Sequence, residues 1–158
     1  MPLADLPDDA YVQIVALDPP PADAGEIVAA LDKLLRQLAR EGRIAAWAVE
    51  AAAGGAALVI AWHGAEDLSG CSKDKLAQVL ADRERRGGVA ILSAPPLLVE
   101  LAGGARAVDR ATLRRLIADG AVDAATPVYD RRVRRLGEWR AHGRVALGAS
   151  WLAELVGR

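Results

Sequence analysis

The chain has 158 residues, 20 Lys+Arg against 21 Asp+Glu for a net charge of -1, and 53% hydrophobic residues with no Phe. That composition excludes disorder, collagen and a coiled coil, and the length is enough to bury about two-thirds of the unfolded surface without a disulfide or metal staple. The 34 Ala, 17 Arg against 3 Lys and absence of Asn suggest a GC-rich genome rather than a function.

Ala10–Leu17 is β-branched and aromatic between Pro7 and Pro19-Pro20-Pro21, and reads as a first strand. From Asp23 to Glu41, Ile27, Leu31, Leu34, Leu35 and Leu38 recur at helical spacing, with Asp23 and Glu26 as a capping-box-like start and Gly42 as the stop. Ile44–Ala53 and Ala56–Trp62 are apolar runs joined by Gly54-Gly55, the signature of a hairpin. Ser72–Arg86 carries Leu76, Val79 and Leu80 on one face and stops at Gly87-Gly88, a second helix, and Val89–Ser93 a fourth strand.

The order β-α-β-β-α-β predicts an α+β fold: a ferredoxin-like sheet over residues 1–93 with two helices on one face. Residues 94–158 read as a small C-terminal extension packed on that core. Leu97–Leu101 and Ala105–Val108 form a second hairpin candidate, and Asp109 caps a short helix ended by Gly120. Pro127–Asp130, Arg132–Leu136 and Val145–Leu147 read as short strands. Ser150 caps a last helix whose Trp151 is expected to anchor it on the main sheet.

One Cys and two His cannot supply four zinc ligands, and a lone thiol cannot form an internal disulfide, so no cofactor is expected and the setting reads as cytoplasmic. The acidic amino terminus is unlike a signal peptide, and the longest uncharged run, Ala51–Ala65, falls short of the ~20 residues that cross a bilayer. Charge is uneven: residues 1–80 hold 6 basic and 12 acidic side chains, residues 81–158 hold 14 and 9. The halves are expected to attract each other, or two copies to do so.

Leu68-Ser-Gly-Cys-Ser72 runs into the second helix. A helix amino terminus favours a thiolate at Cys71 or an anion beside Ser69, Gly70 and Ser72, with Lys73 and Lys75 adding to the field. His63, oriented by Asp67, is a candidate base for a Cys–His pair. The plainer reading, and the preferred one, makes Cys71 a small buried hydrophobe, Ser72 the helix cap and His63 a strand-end residue. The five residues superficially match an ABC-transporter signature, but no phosphate loop G-x-x-x-x-G-K-[ST] exists, so the chain is not an ATPase, and G-x-G-x-x-G, H-E-x-x-H and G-x-S-x-G are also absent.

A second candidate is the basic stretch Arg131, Arg132, Arg134, Arg135, Arg140 and Arg144, interleaved with Tyr129 and Trp139. Arginine planes and aromatic rings can track a nucleic-acid backbone and stack bases. The pI of about 6.1 speaks against that use. Pairing with the acidic half, or a partner-facing patch, is expected instead. The doublets Asp8-Asp9 and Glu66-Asp67 show no spacing that acid/base hydrolysis needs.

Leu6-Pro-Asp-Asp, Leu68-Ser-Gly-Cys-Ser-Lys-Asp, Ala118–Asp130 and Ser150-Trp151 are collinear from end to end with a family that the chain resembles. It consists of small uncharacterised bacterial proteins, common in Bacteroidetes, that are often labelled "ABC transporter ATPase" automatically. The resemblance implies a Ser-Gly-Cys-Ser motif before the second helix and a Ser-Trp pair near the carboxyl end, and no activity to carry over. The expectation is a non-enzymatic module that binds a protein partner or itself as a homo-oligomer, a dimer, through the sheet's open face or the arginine-rich stretch. The alternative is a thiol-dependent enzyme or anion site at Cys71.

Overall fold

The computed structural model describes residues 1–22, 24–92 and 97–157. Its first half is a four-stranded antiparallel sheet of β1 (Tyr11–Asp18), β2 (Ala46–Ala52), β3 (Ala57–His63) and β4 (Ala90–Leu92), ordered β2-β3-β1-β4. Helix α1 (Gly25–Arg40) joins β1 to β2, and α2 (Gly70–Arg85) joins β3 to β4. The cap expected at Asp23 and the strand end at Ser93 lie outside the described residues. The hairpin turn is longer than two glycines. Pairing of Ala52 with Ala57 leaves four residues between the strands, with Ala53, Gly54 and Gly55 at positive φ.

The second half builds a sheet of its own. Strands β5 (Leu97–Leu101), β6 (Gly104–Val108), β7 (Pro127–Asp130) and β8 (Arg144–Ala146) are ordered β6-β5-β7-β8, again antiparallel. Helix α3 (Arg110–Ala118) follows β6, with the Asp109 side chain accepting the Thr112 N–H at 2.7 Å as its cap. Helix α4 (Leu136–His142) lies between β7 and β8.

Side-chain alternation along β1 explains how the layers stack. Val15 and Leu17 face α1 and α2, where they meet Ile27, Leu31, Leu35, Leu38, Leu76 and Leu80. Val12, Ile14 and Ala16 face the second sheet, packing with Ala48, Ala57, Val59 and Ala61 against Leu98, Ala105 and Tyr129. The far face of the second sheet, Val99, Val108 and Val128, is closed by Leu113 of α3 with Val122, Leu147 and Leu152. The order of layers is helices, sheet, sheet, helix. β3, sandwiched on both faces and between two strands, is buried from Ala57 to Trp62, which is why it reads as a continuous apolar run.

Three expectations are corrected. The main sheet has no open face: small side chains at Ala48, Ala57 and Ala61 let the second sheet close on it. Arg132–Leu136 is not a strand of a sheet. Only Arg135 bridges to Tyr11, and Leu136 already begins α4, a helix that periodicity did not show. Ser150 caps no regular helix either. Its Oγ donates to the Leu147 carbonyl and accepts the Leu152 N–H, and only a 3-10 turn, Ala153–Leu155, follows. Trp151 belongs to the second sheet's side of the molecule, beside Leu97, Val108 and Leu113, and is 39% exposed.

Candidate functional site

At the start of α2 the cap is Ser69, not Ser72: Ser69 Oγ accepts the Ser72 N–H at 3.2 Å, and the Ser72 side chain is buried beneath it. Gly70 opens the helix and Cys71 is exposed, so the thiol is not a core hydrophobe. Among the described residues no hydrogen bond joins it to His63. His63 Nε2 lies 3.2 Å from Asp9 Oδ1, and Asp67, expected to orient the imidazole, accepts from Trp62 Nε1 at 2.9 Å, Lys73 Nζ at 2.6 Å and the Leu68 N–H at 2.7 Å. Burial pushes the Asp67 carboxyl up, but the three donors outweigh it and hold the group below the usual carboxylate range. These three donors fix Asp67 in the loop that turns β3 into α2.

The arginine-rich segment runs along the flank of β1. The Val12 N–H donates to the Arg134 carbonyl at 3.0 Å and the Leu136 N–H to the Ala10 carbonyl at 2.8 Å, so the segment pairs with β1 at its amino end while β4 pairs with Ala16–Asp18 at its other end. Between them the Gln13–Val15 flank has no strand partner among the described residues. Arg135 lies 3.9 Å over the Tyr11 ring, which stacks on Trp62, and donates to the Asp9 carbonyl. Arg132 makes a bidentate pair with Asp130 and stacks 3.9 Å over Trp151. Desolvation keeps Arg131, half-buried, below the usual guanidinium range, and Arg134 is exposed.

The remaining arginines pair inward. Arg140 binds Asp8 Oδ1 at 2.6 Å and the carbonyls of Leu3 and Leu6 at 3.0 and 2.8 Å, joining the two halves as the charge asymmetry suggested. Arg144 holds both carboxylate oxygens of Glu100 at 3.0 Å, with the Tyr129 hydroxyl donating to the same group. Trp139, on α4, stacks on buried Tyr129 with ring centroids 6.2 Å apart. The aromatic rings of this stretch therefore face protein and form no platform for bases.

What the sequence reading missed is a trough. Two adjoining cavities of about 520 and 470 Å³ lie over β1 and share Gln13, Ile14, Arg131 and Arg132. Lys73 and Trp62 border the first with Arg134 and Arg135; Leu80, Glu84 and Ile91 border the second. No protein-family model, no curated protein and no solved structure matches the chain. The trough must be read from its own chemistry. Five cations, Lys73 and four arginines, surround it against Asp67 and Glu84. The signal in the sequence was Gln13, a polar and exposed residue at a helix-facing position with apolar neighbours on both sides. Among the described residues no three His, Cys, Asp or Glu side chains gather as metal ligands, and no helix is long and apolar enough to cross a membrane.

Proposed function

We propose that this chain is a non-enzymatic binding module that takes an acidic segment of a protein partner into the arginine-lined trough over β1. The observation that carries this reading is the convergence of Lys73, Arg131, Arg132, Arg134 and Arg135 on two adjoining cavities beside the Gln13–Val15 flank of β1, which has no strand partner among the described residues. Paired arginines such as Arg132 present remaining N–H donors in a fixed plane, suited to carboxylates. Rim charges such as Arg134 add mainly to encounter rate and salt dependence.

The scaffold for this module is, in our reading, ferredoxin-like. The order β2-β3-β1-β4 with antiparallel neighbours and both crossover helices packed on one face supports it, with the second sheet as the extension that supplies the arginines. We place the protein in a bacterial cytoplasm and with the family carrying Ser-Gly-Cys-Ser and Ser-Trp, on the collinear motifs and the single unpaired thiol.

Fluorescence anisotropy of a labelled deca-glutamate peptide tests the reading. Binding is expected at 50 mM NaCl, falling steeply by 300 mM, while a deca-lysine peptide stays free. Replacing Arg131 and Arg134 together by Ala is expected to weaken binding by about tenfold or more without loss of the folded circular-dichroism spectrum. Absence of deca-glutamate binding at low salt, or equal binding by the folded double variant, overturns it.

A further inference from the structure

We infer that the outer edge of β2 is a homodimer interface in which two copies pair antiparallel about a two-fold axis through Val49. This goes beyond the trough and does not depend on it.

The register decides which backbone groups are free. The Leu17 N–H donates to the Ala56 carbonyl, so the even-numbered residues of β3 face β1 and the odd-numbered ones, Ala57, Val59 and Ala61, face β2. Their opposites, Ala52, Glu50 and Ala48, are thereby the inward-bonding residues of β2. The N–H and C=O groups of Trp47, Val49 and Ala51 point out of the sheet, and no described residue pairs with them. At seven residues β2 is the longest strand at a sheet edge among those described, since β4 and β8 have three and β6 five.

Although the amino-terminal turn Leu3–Asp5 packs beside β2, the strand itself carries little of the usual edge protection. It holds no Pro and no basic residue, and its only charge, Glu50, accepts the Leu3 N–H. Centred on Val49, antiparallel pairing sets Trp47 opposite Ala51, Val49 opposite itself, and Ala48 opposite Glu50. Six backbone hydrogen bonds form, the indole meets a methyl group, and no like charges face each other. A register centred on residue 50 would bring the two glutamates together instead. On the helix side, Asp32 accepts from Trp47 Nε1 at 2.8 Å, which places Val28, one turn earlier in α1, beside the same edge. Val28, Trp47 and Val49 are only half-buried in one copy, so a second copy removes more apolar surface from water. The product is a continuous eight-stranded sheet, a closed isologous dimer that leaves no β2 edge exposed.

Sedimentation velocity of the full chain between 1 and 100 µM, combined with amide hydrogen exchange, tests this. The expected result is a mass twice the chain's 16.6 kDa, with the Trp47, Val49 and Ala51 amides protected in the dimer. Val49→Pro removes the central donor, and Ala51→Lys, at an exposed position, adds a charge without touching the core; each is expected to yield a monomer. Should Val49→Pro fail to fold, Ala51→Lys decides. A monomer at 100 µM overturns the inference. So does a dimer that persists in folded Ala51→Lys or leaves those three amides unprotected.

Discussion

Asp67 shows how one residue's role depends on neighbours that a sequence does not display. Its spacing from His63 suggests an orienting carboxylate, but the strand delivers Trp62 Nε1 to it and the first turn of α2 delivers Lys73, while His63 turns to Asp9. Because its carboxyl is held below its ordinary value in the folded chain, it stabilises the fold above about pH 4, and that contribution is lost as pH falls through the lower folded value. Asp67→Asn is therefore expected to lower the melting temperature at pH 7 and to converge on the parent as pH approaches 2, read by thermal melts across pH. A constant difference at every pH would exclude an ionised Asp67 as the cause. Cap chemistry was legible only in kind: a Ser starts α2, and the choice between Ser69 and Ser72 rests on which one buries.

Elements with a long apolar period were legible. Ile27, Leu31, Leu35 and Leu38 are the buried stripe of α1, and the hairpin of β2 and β3 and the cap of α3 stand where composition put them. α4 was not legible, because Arg135 offers no side-chain cap, Gly137 lowers helix propensity, and only Leu136 is buried in it. Its existence is a tertiary effect: the Leu136 and Gly137 N–H groups are claimed by the carbonyls of Ala10 and Asp8. The helix ends at Gly143, where a Cβ would overlap the ring and carbonyl of Trp139. Gly143→Ala is expected to destabilise the protein by about 1–3 kcal/mol in urea titration. Gly70→Ala, which meets open space at the start of α2, is expected to leave stability unchanged within about 1 kcal/mol. Equal midpoints for the two variants would mean that Trp139 yields freely.

For the molecule as a whole, the mixed α+β make-up was accessible from the strand and helix pattern, whereas the second sheet's partner was not. The residues that join the sheets are mostly alanines, and alanine richness argued nothing by itself. Residues 1–92 alone would bare Val12, Ile14 and Val59, so that fragment is expected to bind an apolar dye and precipitate, while the whole chain unfolds in one transition. A soluble, dye-silent fragment with a cooperative melt would show that the first sheet stands alone. Arg140, bonded to the carbonyls of Leu3 and Leu6, adds a consequence for manufacture. A ribosome adding about 5–20 residues per second releases the first sheet seconds before the chain that must cover it. During that interval each nascent copy carries an adhesive surface past its neighbours on the same messenger, so the pace of translation between the two halves governs how much protein reaches its finished form.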